Sequence, residues 1–235
     1  YGEKTSEEIT ACSAGAIKKI VEKWNPRSVI IACNTISVTA LDKLRELFPQ
    51  LPIIGTVPAI KLAAKVTENK RIGLLATNAA VNHPYSDRLI RDFASDCQVF
   101  KRGDPGLISF IEHDLFTATM DEKLAAVKPA VDFFKSCGCD TMILGCTHFT
   151  HIADIMKLAA GDGMKVVDSR DGVARHALEV LEEQESGSSS CDSVPCSDLP
   201  ADTSFFITGY KTKSDEVEYK TLCEKFGIPW CGMME

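Results

Sequence analysis

The sequence lacks several features that mark membrane and nucleic-acid-binding proteins. No apolar run approaches the roughly 20 residues that a helix needs to cross a bilayer. No cluster of Lys and Arg interleaved with aromatic residues occurs, and the net charge is -7. Such a chain has no electrostatic attraction to phosphate backbones, so we expect no nucleic-acid partner. There is also no basic leader with a small-residue cleavage site, which predicts a cytoplasmic protein without a membrane partner.

The beginning of the chain also lacks a strand. The first residue is Tyr1 rather than Met, and the segment Thr5-Ser6-Glu7-Glu8 supplies an N-cap with acidic residues in the first turn of a helix. We therefore expect that further residues precede Tyr1 in the whole protein.

The sequence does contain a regular alternation of short apolar runs and amphipathic stretches. The predicted strands are 28–32, 53–57, 71–76, 98–100, 140–144, 164–168 and 204–208. The predicted helices include 37–47, 59–66, 85–93, 121–136, 152–158, 172–183 and 215–226. Residues 101–106 and 184–203 are expected to be loops. This alternation predicts an α/β fold with mainly parallel sheets flanked by helices.

Two segments in separate halves of the chain share one arrangement. Val29-Ile30-Ile31-Ala32-Cys33-Asn34-Thr35 and Met142-Ile143-Leu144-Gly145-Cys146-Thr147-His148 each run from an apolar strand through a small residue to Cys and a polar pair. Ligands of open α/β sheets bind at the carboxyl ends of strands, so both thiols are expected in a binding crevice. A helix N-terminus directly after each Cys predicts a thiol pKa below the usual ~8.5.

The alternative is that these and the other cysteines have structural, redox or metal-binding roles. Cysteines at strand ends can simply fill space, although a polar pair after each one is hard to explain by packing. A C-x-C pair at 137–139, together with Cys191 and Cys196, leaves a thiol redox or metal-binding protein open. No second ligand pair at zinc-finger spacing accompanies it, and His148 and His151 lack a third ligand, so no metal site is predicted.

Several motifs identify a family that the chain resembles. They are Tyr1-Gly2-Glu3-Lys4, Ala32-Cys33-Asn34-Thr35, Gly55-Thr56-Val57-Pro58-Ala59-Ile60-Lys61, Ile72-Gly73-Leu74-Leu75-Ala76-Thr77, Leu144-Gly145-Cys146-Thr147-His148 and Phe205-Phe206-Ile207-Thr208-Gly209. With these motifs the chain resembles the glutamate racemases of the cofactor-independent aspartate/glutamate racemase group. The two Cys motifs are the specific part of the resemblance.

The resemblance implies a two-base racemisation of glutamate without cofactor or metal, which supplies D-glutamate for peptidoglycan. Cys33 and Cys146 would act on opposite faces of the α-carbon, with Cys146 assisted by His148 and by Glu112. The implied substrate-binding residues are Tyr1, Gly2, Asn34, Thr35, Thr77 and Thr147. A homodimer is the expected assembly.

The resemblance also implies two pseudo-symmetric lobes with the active site in the cleft between them. We expect the first lobe to comprise residues 1–57 and 168–235, and the second residues 58–167. Two features of the family pattern are missing. No Asp-Ser-Gly strand precedes Cys33 to assist it, and Ala80 stands where a second threonine is common, so that a substrate contact is either absent or supplied by Asn78.

Related activities on the same fold remain alternatives. These are racemisation of aspartate or hydantoins and decarboxylation of substituted malonates. A decarboxylase delivers one proton and needs one cysteine, whereas two cysteines favour racemisation. The Thr-His pair after Cys146 favours glutamate as the substrate.

Overall fold

The computed structural model describes residues 4–187, 203–210 and 212–234. Within these ranges, the helices are α1 (Ser6–Trp24), α2 (Asn34–Leu47), α3 (Ile60–Val66), α4 (Asn78–Asn82), α5 (Pro84–Phe93), α6 (Pro105–His113), α7 (Met120–Ser136), α8 (Ala153–Ala160), α9 (Arg170–Gly187) and α10 (Lys213–Phe226). A 3₁₀-helix, Thr147–Ile152, precedes α8. None of the helices in these ranges combines the length and the apolar character that a membrane span requires.

The strands are β1 (Val29–Ile31), β2 (Ile53–Gly55), β3 (Arg71–Ala76), β4 (Gln98–Gly103), β5 (Thr141–Leu144), β6 (Lys165–Val167), β7 (Phe205–Ile207) and β8 (Trp230–Met233). Two loop predictions are wrong in part. Residues 101–106 contain the end of β4 and the start of α6, and α9 continues to Gly187, into the expected loop 184–203. The rest of that expected loop, from 188 to 202, lies outside the described residues.

Four parallel strands form the largest sheet, in the order β4-β3-β5-β6. Leu75 and Leu144 point to a core formed with α7 and α8, whereas Leu74 and Ile143 point to a core formed with α3 and α5. A parallel sheet that is buried on both faces requires strands that are apolar throughout. This requirement explains the continuous apolar runs in β3 and β5.

An aspartate at the N-terminal end of β5 binds the loop before β3. The carboxylate of Asp140 accepts hydrogen bonds from Thr67 Oγ1 at 2.6 Å, from the Glu68 backbone N–H at 2.7 Å and from the Asn69 backbone N–H at 2.8 Å. Burial raises the pKa of Asp140, but these hydrogen bonds and a fourth from Thr141 Oγ1 at 2.9 Å outweigh burial and lower the pKa overall.

The remaining strands form two parallel pairs, β1–β2 and β7–β8. Helices α1 and α2 cover one face of β1–β2 through a separate core that includes Ile31 and Leu44. The start of the chain also contacts its end, because Trp24 packs on Phe206 with ring centroids 4.8 Å apart, and Lys19 Nζ donates to the Met234 carbonyl at 3.3 Å.

Candidate active site

The two cysteines of the repeated motif lie at the carboxyl ends of β1 and β5. Each has an extended backbone and forms the N-cap of the following helix, Cys33 of α2 and Cys146 of the 3₁₀-helix. Asn34, the residue after Cys33, donates its side-chain N–H to the carbonyl of Gly145, the residue before Cys146, at 2.7 Å. The structure therefore brings together the two segments that the sequence predicts to share a crevice.

Position 145 accommodates glycine only, because its surroundings leave no room for a side chain. A Cβ at this position would lie 2.7 Å from Leu74 Cδ1 and 3.0 Å from the Leu75 carbonyl oxygen. Leu74 is fully buried, so it has little freedom to move aside. The close approach of Gly145 to β3 sets the position at which Cys146 leaves the sheet.

Cys146 is the first member of a chain of three polar side chains. Its Sγ lies 3.3 Å from Nδ1 of His148, and Nε2 of His148 lies 2.8 Å from Oε1 of Glu112, which is in the last turns of α6. A carboxylate that accepts from Nε2 leaves Nδ1 of a neutral imidazole as an acceptor for the thiol proton. The arrangement can move a proton between Cys146 and His148 while Glu112 stabilises the charged ring.

The expected low pKa of Cys146 is wrong. Cys146 is buried, and burial raises the pKa of its thiol to about 11. The neighbouring Cys33 and Glu112 raise it further, whereas the backbone N–H groups of His148 and Phe149 lower it. The helix N-terminus acts in the predicted direction, but desolvation is the larger effect because it disfavours the thiolate.

Polar side chains from the segments that follow β1 and β3 meet beside the cysteines. Asn34 and Thr35 are buried at the start of α2, and Thr35 Oγ1 lies 3.2 Å from Oγ1 of Thr77, which follows β3. Thr77 also accepts the backbone N–H of Ala80 at 3.0 Å and so caps α4. Oδ1 of Asn34 is buried without a hydrogen-bond partner among the described residues. A buried amide oxygen in this position is available to accept a hydrogen bond from a ligand.

The other predicted substrate-binding residues have different placements. Thr147 lines a cavity next to Cys146. Tyr1 and Gly2 lie outside the described residues. Ala80 is buried in the core behind Thr77, and the exposed Asn78 packs so closely on β4 that a Cβ at Gly103 would lie 1.9 Å from its Oδ1.

A cavity of about 460 Å³ opens beside Cys146. Its lining comprises Ile30, Ala32, Asn34, Thr56, Leu144, Cys146, Thr147, His148, Thr150, His151, Ser169, Arg170, Val173 and Ala174. Five polar residues in this set are missing from the predicted site. Thr150 and His151 lie on the 3₁₀-helix after β5, and the other three are Thr56, Ser169 and Arg170. These three follow β2 and β6, so the rule that places ligands at the carboxyl ends of parallel strands also points to them.

The charged groups around the cavity are paired. Arg170 binds both carboxylate oxygens of Asp168, with Nε at 3.0 Å from Oδ1 and Nη2 at 2.8 Å from Oδ2. Burial and the nearby positive charges of His148 and Arg170 lower the pKa of His151, which favours its neutral form. Within the described ranges, no three His, Cys, Asp or Glu side chains are grouped so that they could hold a metal ion.

Comparison with known proteins identifies the family. Residues 2–177 match the model of the Asp/Glu/Hydantoin racemase family. The chain belongs to this family. It is 32% identical over 235 residues to the glutamate racemase of Treponema pallidum (strain Nichols), with 100% of this chain and 83% of the relative covered. It is 38% identical over 186 residues to the glutamate racemase of Sphingopyxis alaskensis, with 78% of this chain and 69% of the relative covered.

A solved structure of the family is similar over almost the whole chain. The crystal structure of Escherichia coli glutamate racemase in complex with L-glutamate and the activator UDP-MurNAc-ala has a TM-score of 0.80 and 27% identity, and the match covers 99% of this chain and 83% of that one. Together with the parallel sheets and flanking helices, this likeness confirms the predicted α/β fold of two lobes. The predicted family is also confirmed.

Proposed function

We propose that this chain is a glutamate racemase that interconverts L- and D-glutamate with two cysteine bases and no cofactor. Membership of the racemase family and the glutamate racemase names of the similar proteins support the activity. The observation that carries the mechanism is the contact chain from Cys146 through His148 to Glu112. It connects a cysteine at a strand end to a proton acceptor, which a thiol of high pKa needs before it can act as a base.

Inversion requires a base and an acid on opposite faces of the α-carbon. In one direction, the Cys146 thiol passes its proton to His148 Nδ1, and the resulting thiolate removes the α-proton while Cys33 supplies a proton to the other face. In the reverse direction, the Cys33 thiolate removes the α-proton and the Cys146 thiol donates one. One C–H bond breaks and one forms in each turnover, and the two cysteines exchange protonation states.

The two cysteines differ in how they are supported. Glu112 holds the imidazolium of His148 by an ion pair, so the proton that leaves Cys146 has an acceptor in the site. Cys33 is only partly buried. Neither cysteine makes a side-chain capping hydrogen bond to the helix that follows it, so capping does not distinguish them.

Substrate binding is proposed for the polar groups around the cysteines. Oδ1 of Asn34 accepts from the substrate ammonium group, and the hydroxyl groups of Thr35, Thr77 and Thr147 donate to a carboxylate. Tyr1 and Gly2 are proposed to complete the site.

We also propose the lobe division 1–57 plus 168–235 and 58–167. It is supported by the contacts of Trp24 with Phe206 and of Lys19 with Met234, which join the first and last segments of the chain. The supply of D-glutamate for peptidoglycan and the homodimer stay predictions.

A circular dichroism assay tests the proposed activity. The full-length protein, supplied with L-glutamate or D-glutamate and no cofactor, should bring the optical signal of either enantiomer to zero. L-aspartate serves as the control substrate, because the family also includes aspartate racemases. Loss of the aspartate signal with a stable glutamate signal would contradict the proposal.

A further inference from the structure

The C-terminal end of α10 contacts the segment that follows α6. Lys225 Nζ donates a hydrogen bond to the Phe116 carbonyl oxygen at 3.3 Å and lies 4.0 Å from the centroid of the Phe116 ring. A cation at this distance from an aromatic face is attracted by the ring quadrupole. Phe116 is therefore held by two interactions with one ammonium group.

Phe116 is closely connected to the helix that carries Glu112. The backbone N–H groups of Asp114 and Leu115 both donate to the Phe110 carbonyl at 2.9 Å, which closes the end of α6. Only three residues separate Glu112 from Phe116, so a constraint on Phe116 also constrains the last turn of α6.

The next residue of α10 contacts the 3₁₀-helix that carries His148. The ring of Phe226 packs on His151 with centroids 5.8 Å apart and an interplanar angle of 53°. Side chains three residues apart on a 3₁₀-helix are eclipsed, so His151 lies in line with His148. Phe226 thus contacts the turn of chain that orients His148.

The helix that makes both contacts is itself fixed to another sheet. Tyr219 of α10 stacks on Trp230 of β8 with an interplanar angle of 8°, and the Phe205 ring of β7 lies 6.0 Å from that of Trp230. Glu112 and His148, in contrast, lie on segments that leave the β4-β3-β5-β6 sheet. The adjacent residues Lys225 and Phe226 thus connect the β7–β8 pair to two segments, the end of α6 that carries Glu112 and the 3₁₀-helix that carries His148.

The Glu112–His148 pair requires such support. The two side chains are 47% and 38% exposed, respectively. Exposed ion pairs contribute little to stability, because solvent screens the charges and ordering two side chains costs entropy. Such a pair does not hold its own geometry, so the 2.8 Å distance between Nε2 and Oε1 depends on the backbone segments on either side.

We propose that Lys225 and Phe226 are positioning residues that hold Glu112 and His148 in the geometry required for proton transfer at Cys146. This role rests on the proposed racemase function. Neither residue lines the cavity beside Cys146. Lys225 acts through Phe116 on α6, and Phe226 acts through His151 on the 3₁₀-helix.

The test compares four variants of the full-length protein with the wild type. Lys225→Met and Phe226→Ala remove the two contacts, and Lys225→Arg keeps the charge, the donor and the attraction to the ring. Lys220→Met is the matched control, because Lys220 lies on the same helix and pairs with Glu216 at 2.7 Å instead. Two quantities are measured, the kcat and KM of racemisation and the ¹⁵N NMR signature of the His148 ring tautomer.

For Lys225→Met and Phe226→Ala we expect kcat to fall roughly tenfold with KM within about twofold, since misplaced catalytic groups lose rate rather than binding. The His148 nitrogens should lose the signature of a single tautomer. Lys225→Arg and Lys220→Met should match the wild type in both measurements.

An unchanged His148 signature in Lys225→Met would overturn the positioning role, as would an equal loss of kcat in Lys220→Met. A wild-type protein that does not racemise glutamate would instead contradict the proposed function. The NMR comparison does not depend on activity, so it distinguishes these two failures.

Discussion

Asn34 donates its side-chain N–H to the carbonyl oxygen of Gly145 at 2.7 Å, in a buried position. Asn34 directly follows Cys33, and Gly145 directly precedes Cys146, so this hydrogen bond joins the two cysteine-bearing segments across the boundary between two sheets. The second polar atom of the same amide, Oδ1, has no partner among the described residues. One side chain thus fixes the separation of the cysteines and offers an acceptor to a ligand.

Replacement of Asn34 should affect both stability and activity. Asn34→Ala leaves the Gly145 carbonyl without its partner, so we expect the free energy of unfolding to fall by roughly 1–3 kcal/mol and kcat/KM to fall as well. Asn82→Ala is the control, because it removes an exposed amide–carbonyl hydrogen bond of 2.9 Å on α4. Urea unfolding and the racemase assay measure the two effects. Equal behaviour of the two variants would contradict this role of Asn34.

Glu112→Gln should slow proton transfer at Cys146. The amide keeps an oxygen for His148 Nε2 but loses the negative charge that stabilises the imidazolium, so kcat/KM should fall about 10- to 100-fold. The equilibrium constant of a racemisation is unity, so kcat/KM must fall equally in both directions. Glu224→Gln, an exposed change on α10, is the control. A wild-type kcat/KM for Glu112→Gln would remove Glu112 from the mechanism.

Asp140 should make the free energy of unfolding depend on pH. The folded pKa of Asp140 lies below its ordinary value because four hydrogen bonds outweigh burial, so its contribution to stability is present at neutral pH and is lost as the pH falls through the folded pKa. Asp140→Asn should therefore be less stable than the wild type by about 1–3 kcal/mol at neutral pH, and the difference should shrink below about pH 4. Urea unfolding at both pH values measures it. The exposed Asp154→Asn is the control, and a difference for Asp140→Asn that is independent of pH would contradict this account.

Alkylation should report the high pKa of Cys146. A thiol whose pKa is raised to about 11 by burial is almost entirely protonated at neutral pH. Its rate of reaction with iodoacetamide should then rise about tenfold per pH unit below that value, since the thiolate is the nucleophile. Mass spectrometry of the peptide that contains Cys146 follows the rate, with the exposed Cys12 as the internal comparison. A rate for Cys146 that levels off below pH 9 would contradict the effect of burial.

The two central strands of the largest sheet can be predicted from the sequence because they are buried on both faces. β3 and β5 pack against helices on either side, so their apolar runs are continuous and easily recognised. The rule that ligands bind at the carboxyl ends of parallel strands then predicts that Cys33, after β1, and Cys146, after β5, share a crevice.

The loop predicted for residues 101–106 shows where local patterns fail. Gly103 lies within β4 and pairs with Ala76 of β3. A Cβ at this position would meet the side chain of Asn78, so the glycine reflects a contact with a distant part of the chain and not a loop. Pro105 is at the first turn of α6 with Asp104 as its cap, so the same Asp-Pro pair that indicates a loop begins a helix. Glu112 is placed by this helix.

The acidity of Cys146 also depends on distant contacts. The sequence shows the helix N-terminus after the cysteine, and this predicts a low pKa. The burial that raises the pKa comes from residues packed around the thiol in three dimensions. Local sequence therefore predicts the wrong direction for the pKa of Cys146.

The most direct test of the account follows the α-proton in heavy water. L- and D-glutamate are each incubated with wild type, Cys33→Ala, Cys146→Ala and the control Cys12→Ala, and mass spectrometry and circular dichroism record deuterium uptake and inversion. We expect wild type and Cys12→Ala to racemise with deuterium uptake, and neither single active-site variant to racemise. Any exchange that persists should be limited to one enantiomer, and the two variants should differ in which one. Deuterium uptake into both enantiomers by either active-site variant, or racemisation at the wild-type rate, would contradict the assignment of one cysteine to each face.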